Sequence, residues 1–189
     1  MRAEEFLEEF QEEIGERIHF SKELLQKSYE LDKRKLCQEF VERMKQIMRD
    51  CIKLQKEGQK KSIHAICFFC LRHSALTESY EYQINFYDDS FYEDRTEVGG
   101  YWEPKYYRPV IQEDIKYFTA LLRKRKLRVL DYEVSEFCRA YIFQLLTELP
   151  QEMTESIPEL LDSEEYKQLE KTECGFYFGE YRERVNWIG

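Results

Sequence analysis

The chain has 189 residues, 42% hydrophobic and 15% aromatic, with 38 acidic against 29 basic side chains and a formal net charge of −9. That size suits one domain with a substantial core. The hydrophobic share excludes a disordered chain, seven glycines and four prolines exclude low-complexity architecture, and the acidic balance argues against a surface given wholly to nucleic acid.

The charge is segmented. It sums to zero over 1–61, −4 over 62–109, +4 over 110–130, −9 over 131–173 and zero over 174–189. The start, Met1 to Phe10, is acidic and amphipathic, unlike a secretory signal. The longest uncharged apolar run, Ala65 to Leu71, is far short of the ~20 residues that cross a bilayer. A cytoplasmic protein is expected, and its six cysteines read as reduced core thiols.

In chain order, Phe6, Leu7, Phe10, Ile14 and Ile18 recur at helical spacing, with Leu24, Leu25 and Tyr29 continuing the stripe. Asp32 has the character of an N-cap. Beyond it, Cys37, Met44 and Cys51 fall seven apart, as do Phe40, Ile47 and Leu54, and Gly58 is placed to end the helix. The expectation is an antiparallel helical hairpin within 1–58. The 37–54 stripe serves as core or as a homodimer seam. Ser62 to Arg72 (SIHAICFFCLR) reads as a strand buried on both faces. Tyr80, Tyr82, Ile84 and Phe86 alternate with Glu81, Gln83 and Asn85, as in a strand with one wet face, and a turn near Ala75–Ser79 would pair the two. A third strand is expected at 91–98 or 101–107, among turns marked by Gly99-Gly100, Pro104 and Pro109.

Helical spacing returns with Ile115, Phe118, Leu121 and Leu122. It resumes after Asp131, a second N-cap candidate, with Val134 through Leu149, and Pro150 closes that helix. A short acidic helix is expected from Pro158 to about Lys171, ended by Gly175. Phe176 to Ile188 reads as a last strand, with Tyr177, Tyr181, Val185 and Trp187 on one face. The fold class is therefore α+β, a single domain over 1–189. The helical hairpin (1–58) and the helices of 111–171 pack on a small, mainly antiparallel sheet of three to four strands, supplied by 62–109 and 176–188.

Few residues point to chemistry. His64, Cys67, Cys70 and His73 have zinc-like spacing, but on a strand Cys67 and Cys70 face opposite ways, so no metal or cofactor is expected. The run Arg123, Lys124, Arg125, Lys126 and Arg128 can hold phosphates, or can simply complement the end of its helix. Residues 80–118 hold twelve aromatics. Tyr101, Trp102, Tyr106, Tyr107 and Arg108 are of the types that dominate interfaces, and they sit in the turn-rich part. The acidic loop Asp88–Asp94 reads as a surface turn. Nucleophile elbows, phosphate-binding glycine loops and H-E-x-x-H are missing.

The expected function is a non-enzymatic protein-interaction protein, such as an acidic inhibitor or immunity-type protein that neutralises a basic partner. One alternative is a small enzyme with a Tyr/Glu/Arg pocket on the sheet, drawing on Glu180, Arg182 and Arg184. The other is a nucleic-acid-binding regulator using 123–128.

Overall fold

The computed structural model describes residues 2–148 and 150–189; Met1 and Leu149, the latter assigned above to a helical stripe, lie outside the described residues. Helix α1 (Arg2–Glu9) runs through Phe10 into α2 (Gln11–Lys56), a helix of 46 residues, and the i→i−4 hydrogen bonds continue across the junction from Phe6 O to Phe10 N and from Phe10 O to Ile14 N.

The expected hairpin is not formed. Leu31-Asp32-Lys33 offers no Gly or Pro to reverse the chain. Asp32 is not an N-cap but a kink inside α2, with φ −120° and ψ 16°. The bend brings the Tyr29 hydroxyl to 3.3 Å from Cys37 Sγ, though eight residues span about 12 Å along a straight helix. The stripe thus faces two environments in turn. Before the kink, Phe10 stacks edge-on to Phe137, and Arg17 and Ser21 bond Asp114. After it, Phe40 meets Phe68 and Trp102 of the sheet. Phe40, Met44, Ile47, Met48 and Cys51 are all buried within this one chain, so this part of the stripe serves as core. Gly58 follows the helix end at φ +70°, as a glycine in that place should.

The sheet has five strands, not three to four, in the order β3-β2-β1-β4-β5. They are β1 (Ile63–Cys70), β2 (Tyr82–Tyr87), β3 (Gly99–Trp102), β4 (Lys171–Glu180) and β5 (Val185–Trp187). β1 and β4 pair in parallel and the other pairings are antiparallel. The short helix α3 (Arg72–Leu76) stands where a simple turn was expected between β1 and β2. Gln55 at the end of α2 bonds the carbonyls of Lys61 and Glu170 and the amide of Glu170, which aligns β4 beside β1.

β1 is buried on both faces, as its sequence predicts. Ile66 and Phe68 face the helices, while Ala65, Cys67 and Phe69 meet a second cluster with Tyr87. That second face is closed by Phe91, Tyr92 and Tyr181. The expected wet face of β2 is therefore largely covered: Gln83 stays half-buried, and Asn85 is buried, donating to the Tyr87 hydroxyl at 2.8 Å. The Asp88–Asp94 loop is correspondingly not a plain surface turn. Asp88 and Asp94 turn inward, Lys60 pairs with Asp94 in a buried contact, and Asp94 also accepts the amides of Asp88 (3.1 Å) and Thr96 (3.0 Å).

The remaining helices are α4 (Tyr107–Arg125), α5 (Asp131–Leu146), α6 (Gln151–Glu155), α7 (Ile157–Asp162) and α8 (Glu164–Gln168). Pro109 does not break α4 because it sits in the first turn, where its missing amide has no intrahelical partner to lose. Asp131 is the first residue of α5 rather than its cap; Glu133 reaches back to the Leu130 amide at 2.8 Å. The expected helix over 158–171 is split at Ser163, whose hydroxyl accepts the Tyr166 amide. Gly175 lies inside β4, not at a helix end. The last strand is two strands joined by a turn in which Arg182 takes φ +62°, and Gly179 lets β5 approach, since a Cβ there would strike Arg184 O.

Candidate functional site

The five aromatic-stretch candidates do not form one open surface. Tyr101 is half exposed on the edge strand β3. Its neighbour Trp102 points inward by strand alternation and is buried with Tyr107. Arg108 pairs with Glu103 at 2.6 Å and lies over the Tyr80 ring. The Tyr106 hydroxyl donates to Glu152 Oε2 at 2.7 Å.

Glu152 is the centre of this arrangement. Pro150 starts α6, and that short helix turns Glu152 and Met153 inward to 0% exposure each. Burial raises the Glu152 pKa, and the hydrogen bond from Tyr106 offsets this only in part. Oε1 has no hydrogen-bond partner; the Trp102 indole N–H faces the same carboxyl without closing a bond of good geometry. Gln151 Oε1 and Ser156 Oγ, one residue before and four after, are also buried without partners. Unpaired buried polar atoms are scarce in folded proteins. Here all four such side-chain atoms among the described residues lie on α6, at its end, or against it.

Beside Glu152 lies a cleft of about 180 Å³, walled by Tyr29, Tyr106, Tyr107 and Gln151, with Lys22 and Glu148 paired across its edge at 2.7 Å. Burial lifts the hydroxyls of Tyr29, Tyr106 and Tyr107 well above their ordinary range, so at neutral pH they are uncharged hydrogen-bonding groups and not bases. The cleft is smaller than the ~300 Å³ at which substrate-sized pockets begin.

A second buried carboxylate, Asp114 on α4, is saturated. It accepts from Arg17 Nε (2.5 Å), Ser21 Oγ (2.8 Å) and the Tyr141 hydroxyl (2.6 Å). This is a staple between α2, α4 and α5.

Three cations of the basic run at the end of α4 are paired within the chain. Arg123 holds Asp131 at 2.7 Å, Arg125 holds Glu13, and Lys126 holds Glu9. Arg125 and Lys126 also lie over the Phe10 ring. Two of these carboxylates come from α1 and α2, and Asp131 comes from the acidic 131–173 segment. Lys124 is exposed with no ion pair to a described residue, and Arg128 takes φ +57° in the loop that follows.

The expected sheet pocket is a hollow of about 190 Å³ that Glu180 and Arg184 line; Arg182 lies in the turn outside it, and Glu180 is engaged by Arg72 at 3.1 Å. Cys67 and Cys70 lie on opposite faces of β1, each thiol pushed up to about 12 by burial. His64 is exposed beside Thr172. Among the described residues no three His, Cys, Asp or Glu side chains are grouped to hold a metal ion, and no helix is long and apolar enough to cross a membrane.

Sequence reasoning missed Glu152 and Tyr29. Glu152 is one acid of twelve in its segment and sits on a five-residue helix too short for a periodic signal. Tyr29 reads as the tail of an apolar stripe. No protein-family model matches the chain, and comparisons with curated proteins and with solved structures find no significant match.

Proposed function

We propose that the chain is a non-enzymatic protein-interaction module, of inhibitor or immunity type, that engages a basic partner protein through acidic surface. The observation that carries this reading is the disposition of charge. Arg123, Arg125 and Lys126 of the basic run are paired internally, while surplus carboxylates face solvent. Glu5, Glu8, Glu12 and Glu16 line one exposed stripe of α1 and α2, opposite the buried Phe6, Phe10 and Ile14. They form no ion pair with a described residue. Glu159, Asp162, Glu170 and Glu173 are likewise exposed and unpaired among the described residues. Such a field speeds and selects encounters with positively charged surfaces and weakens with salt. Six free cysteines fit residence in the reducing cytoplasm, which belongs to the same proposal.

The internal pairing of Arg123, Arg125 and Lys126 weighs against the nucleic-acid reading, and the engagement of Glu180 by Arg72 in a hollow of only about 190 Å³ weighs against an enzyme site on the sheet. The test is affinity capture from the source cell with the wild-type chain and with a variant carrying Glu→Gln at positions 5, 8, 12 and 16. The expected result is a stoichiometric basic protein that is retained by the wild type, released by salt and lost with the variant. A partner held equally by both, or no stoichiometric partner, contradicts it.

A further inference from the structure

We propose that the tyrosine-lined cleft beside Glu152 is a binding site for a primary alkylammonium group. Three rings from two elements wall it. Tyr29 and Tyr106 have centroids 6.5 Å apart with an interplanar angle of 36°, and Tyr106 and Tyr107 stand edge-on at 5.0 Å. Aromatic faces attract cations most strongly where water is excluded. Tyr106 donates its hydroxyl to the fully buried Glu152, which adds electron density to the ring that faces the cleft.

Of the four unpaired polar atoms around α6, the one belonging to a residue that lines the cleft is an acceptor, and a second acceptor lies behind it. Gln151 Oε1 on the cleft and Glu152 Oε1 behind it are buried and unpaired. A group bringing several N–H donors and a positive charge satisfies them. A quaternary ammonium brings the charge without the donors, and an alcohol brings a donor without the charge. The volume, about 180 Å³ against ~30 Å³ per water molecule, admits a head group and a short alkyl stem.

The protein's own lysines already use these surfaces. Lys22 Nζ sits on Glu148 at the cleft's edge, 2.7 Å away. Lys33 Nζ lies 5.5 Å from the centroid of Tyr29 and 2.5 Å from Glu155. Lys22 is thus an internal competitor for the carboxylate an incoming ammonium would meet first. This site is separate from the acidic stripe of Glu5–Glu16, which lies on the outer side of its helix, so the two proposals fail independently.

The test is an NMR titration of the full chain with n-butylammonium, following the Gln151 side-chain amide and the Trp102 indole N–H, with 1-butanol as the neutral control and tetramethylammonium as the donor-free control. Saturable shifts are expected for n-butylammonium, about tenfold tighter than for either control, the scale of one cation–π or charged hydrogen-bond contact. Lys22→Ala, at a half-exposed position, should tighten n-butylammonium several-fold. Glu152→Gln should weaken it while leaving 1-butanol unchanged. An arm with N-acetyl-lysine methylamide assigns the source: tighter binding than the free amine indicates a lysine side chain, weaker binding a free amine. Absence of saturable shifts, equal affinity for 1-butanol, or an unchanged affinity in Lys22→Ala overturns the proposal.

Discussion

Asp114 and Glu152 are both carboxylates with 0% exposure, and they are treated in opposite ways. Asp114 receives three side-chain donors, one of them a guanidinium, from two other helices. Glu152 receives one phenol and is surrounded by unpaired neighbours. A buried charge is tolerated when its attractions offset its desolvation. Asp114 meets that condition and pins α2 to α4 and α5. Glu152 does not, so its proton affinity rises, and its surroundings are left able to accept something more.

The contrast can be broken most forcefully at the saturated site. Asp114→Ala strands Arg17, which is only 17% exposed, and should destabilise the fold by about 3–5 kcal/mol. Thermal denaturation should show the midpoint falling by roughly 10 °C. A fall of only a degree or two would mean that the network is not a staple.

A smaller loss is expected at Asp94, another acid whose side chain is buried. Burial opposes its ionisation, but Lys60 and the amides of Asp88 and Thr96 outweigh burial and lower its pKa. Lys60→Met should cost about 2–3 kcal/mol, because the two amide bonds remain. A lowered folded pKa contributes stability that is present above the unfolded value near ~3.9 and is lost as pH falls through the folded value. The wild type should therefore lose stability below about pH 4 more steeply than Lys60→Met does in acid denaturation curves. Parallel curves would show that Lys60 does not set the Asp94 titration.

Glu152→Gln should act in the opposite direction, adding on the order of 1 kcal/mol at pH 7 by removing a poorly solvated charge. The folded pKa is raised, so the native state binds more proton than the unfolded state above the ordinary glutamate value of ~4.3. Wild-type stability therefore falls as pH rises through that window, and the advantage of the Gln variant should vanish below about pH 4. Urea melts at several pH values measure this. An advantage independent of pH would trace to packing instead.

The weakest expected effect is at the surface. Lys126→Gln should cost less than about 1 kcal/mol, with most of the difference gone at high salt. A larger, salt-resistant loss would show that the stacking of Lys126 on Phe6 and Phe10 outweighs its pairing with Glu9.

Where a residue's neighbours in sequence carry the signal, the fold was legible. The double burial of β1 follows from an unbroken apolar run, and the end of α2 follows from Gly58. The α+β class follows from strands grouped apart from helices. What escaped depends on contacts distant in sequence. β4 reads as coil and helix end because its first residues, Lys171-Thr172-Glu173, are polar. Its place beside β1 is fixed by Gln55, 115 residues before Glu170. The wet face assigned to β2 was largely covered by a loop anchored by Lys60 and Asp94, two charges that look solvated in sequence. The break at Arg182 needs a positive φ that its side chain does not advertise. The aromatic stretch was recognised but its direction was not, because Trp102 turns in against Phe40 of α2 and Tyr106 is held by Glu152 of α6, both distant in sequence. In an acid-rich segment, nothing marks Glu152 as a carboxylate that is buried.

The most direct test of the contrast is a ¹³C NMR titration of the Glu152 side-chain carboxyl in the intact protein. The expected curve keeps the protonated shift after the exposed glutamates have ionised and moves only at higher pH. A Glu152 carboxyl that titrates together with the exposed glutamates would contradict the under-satisfied site.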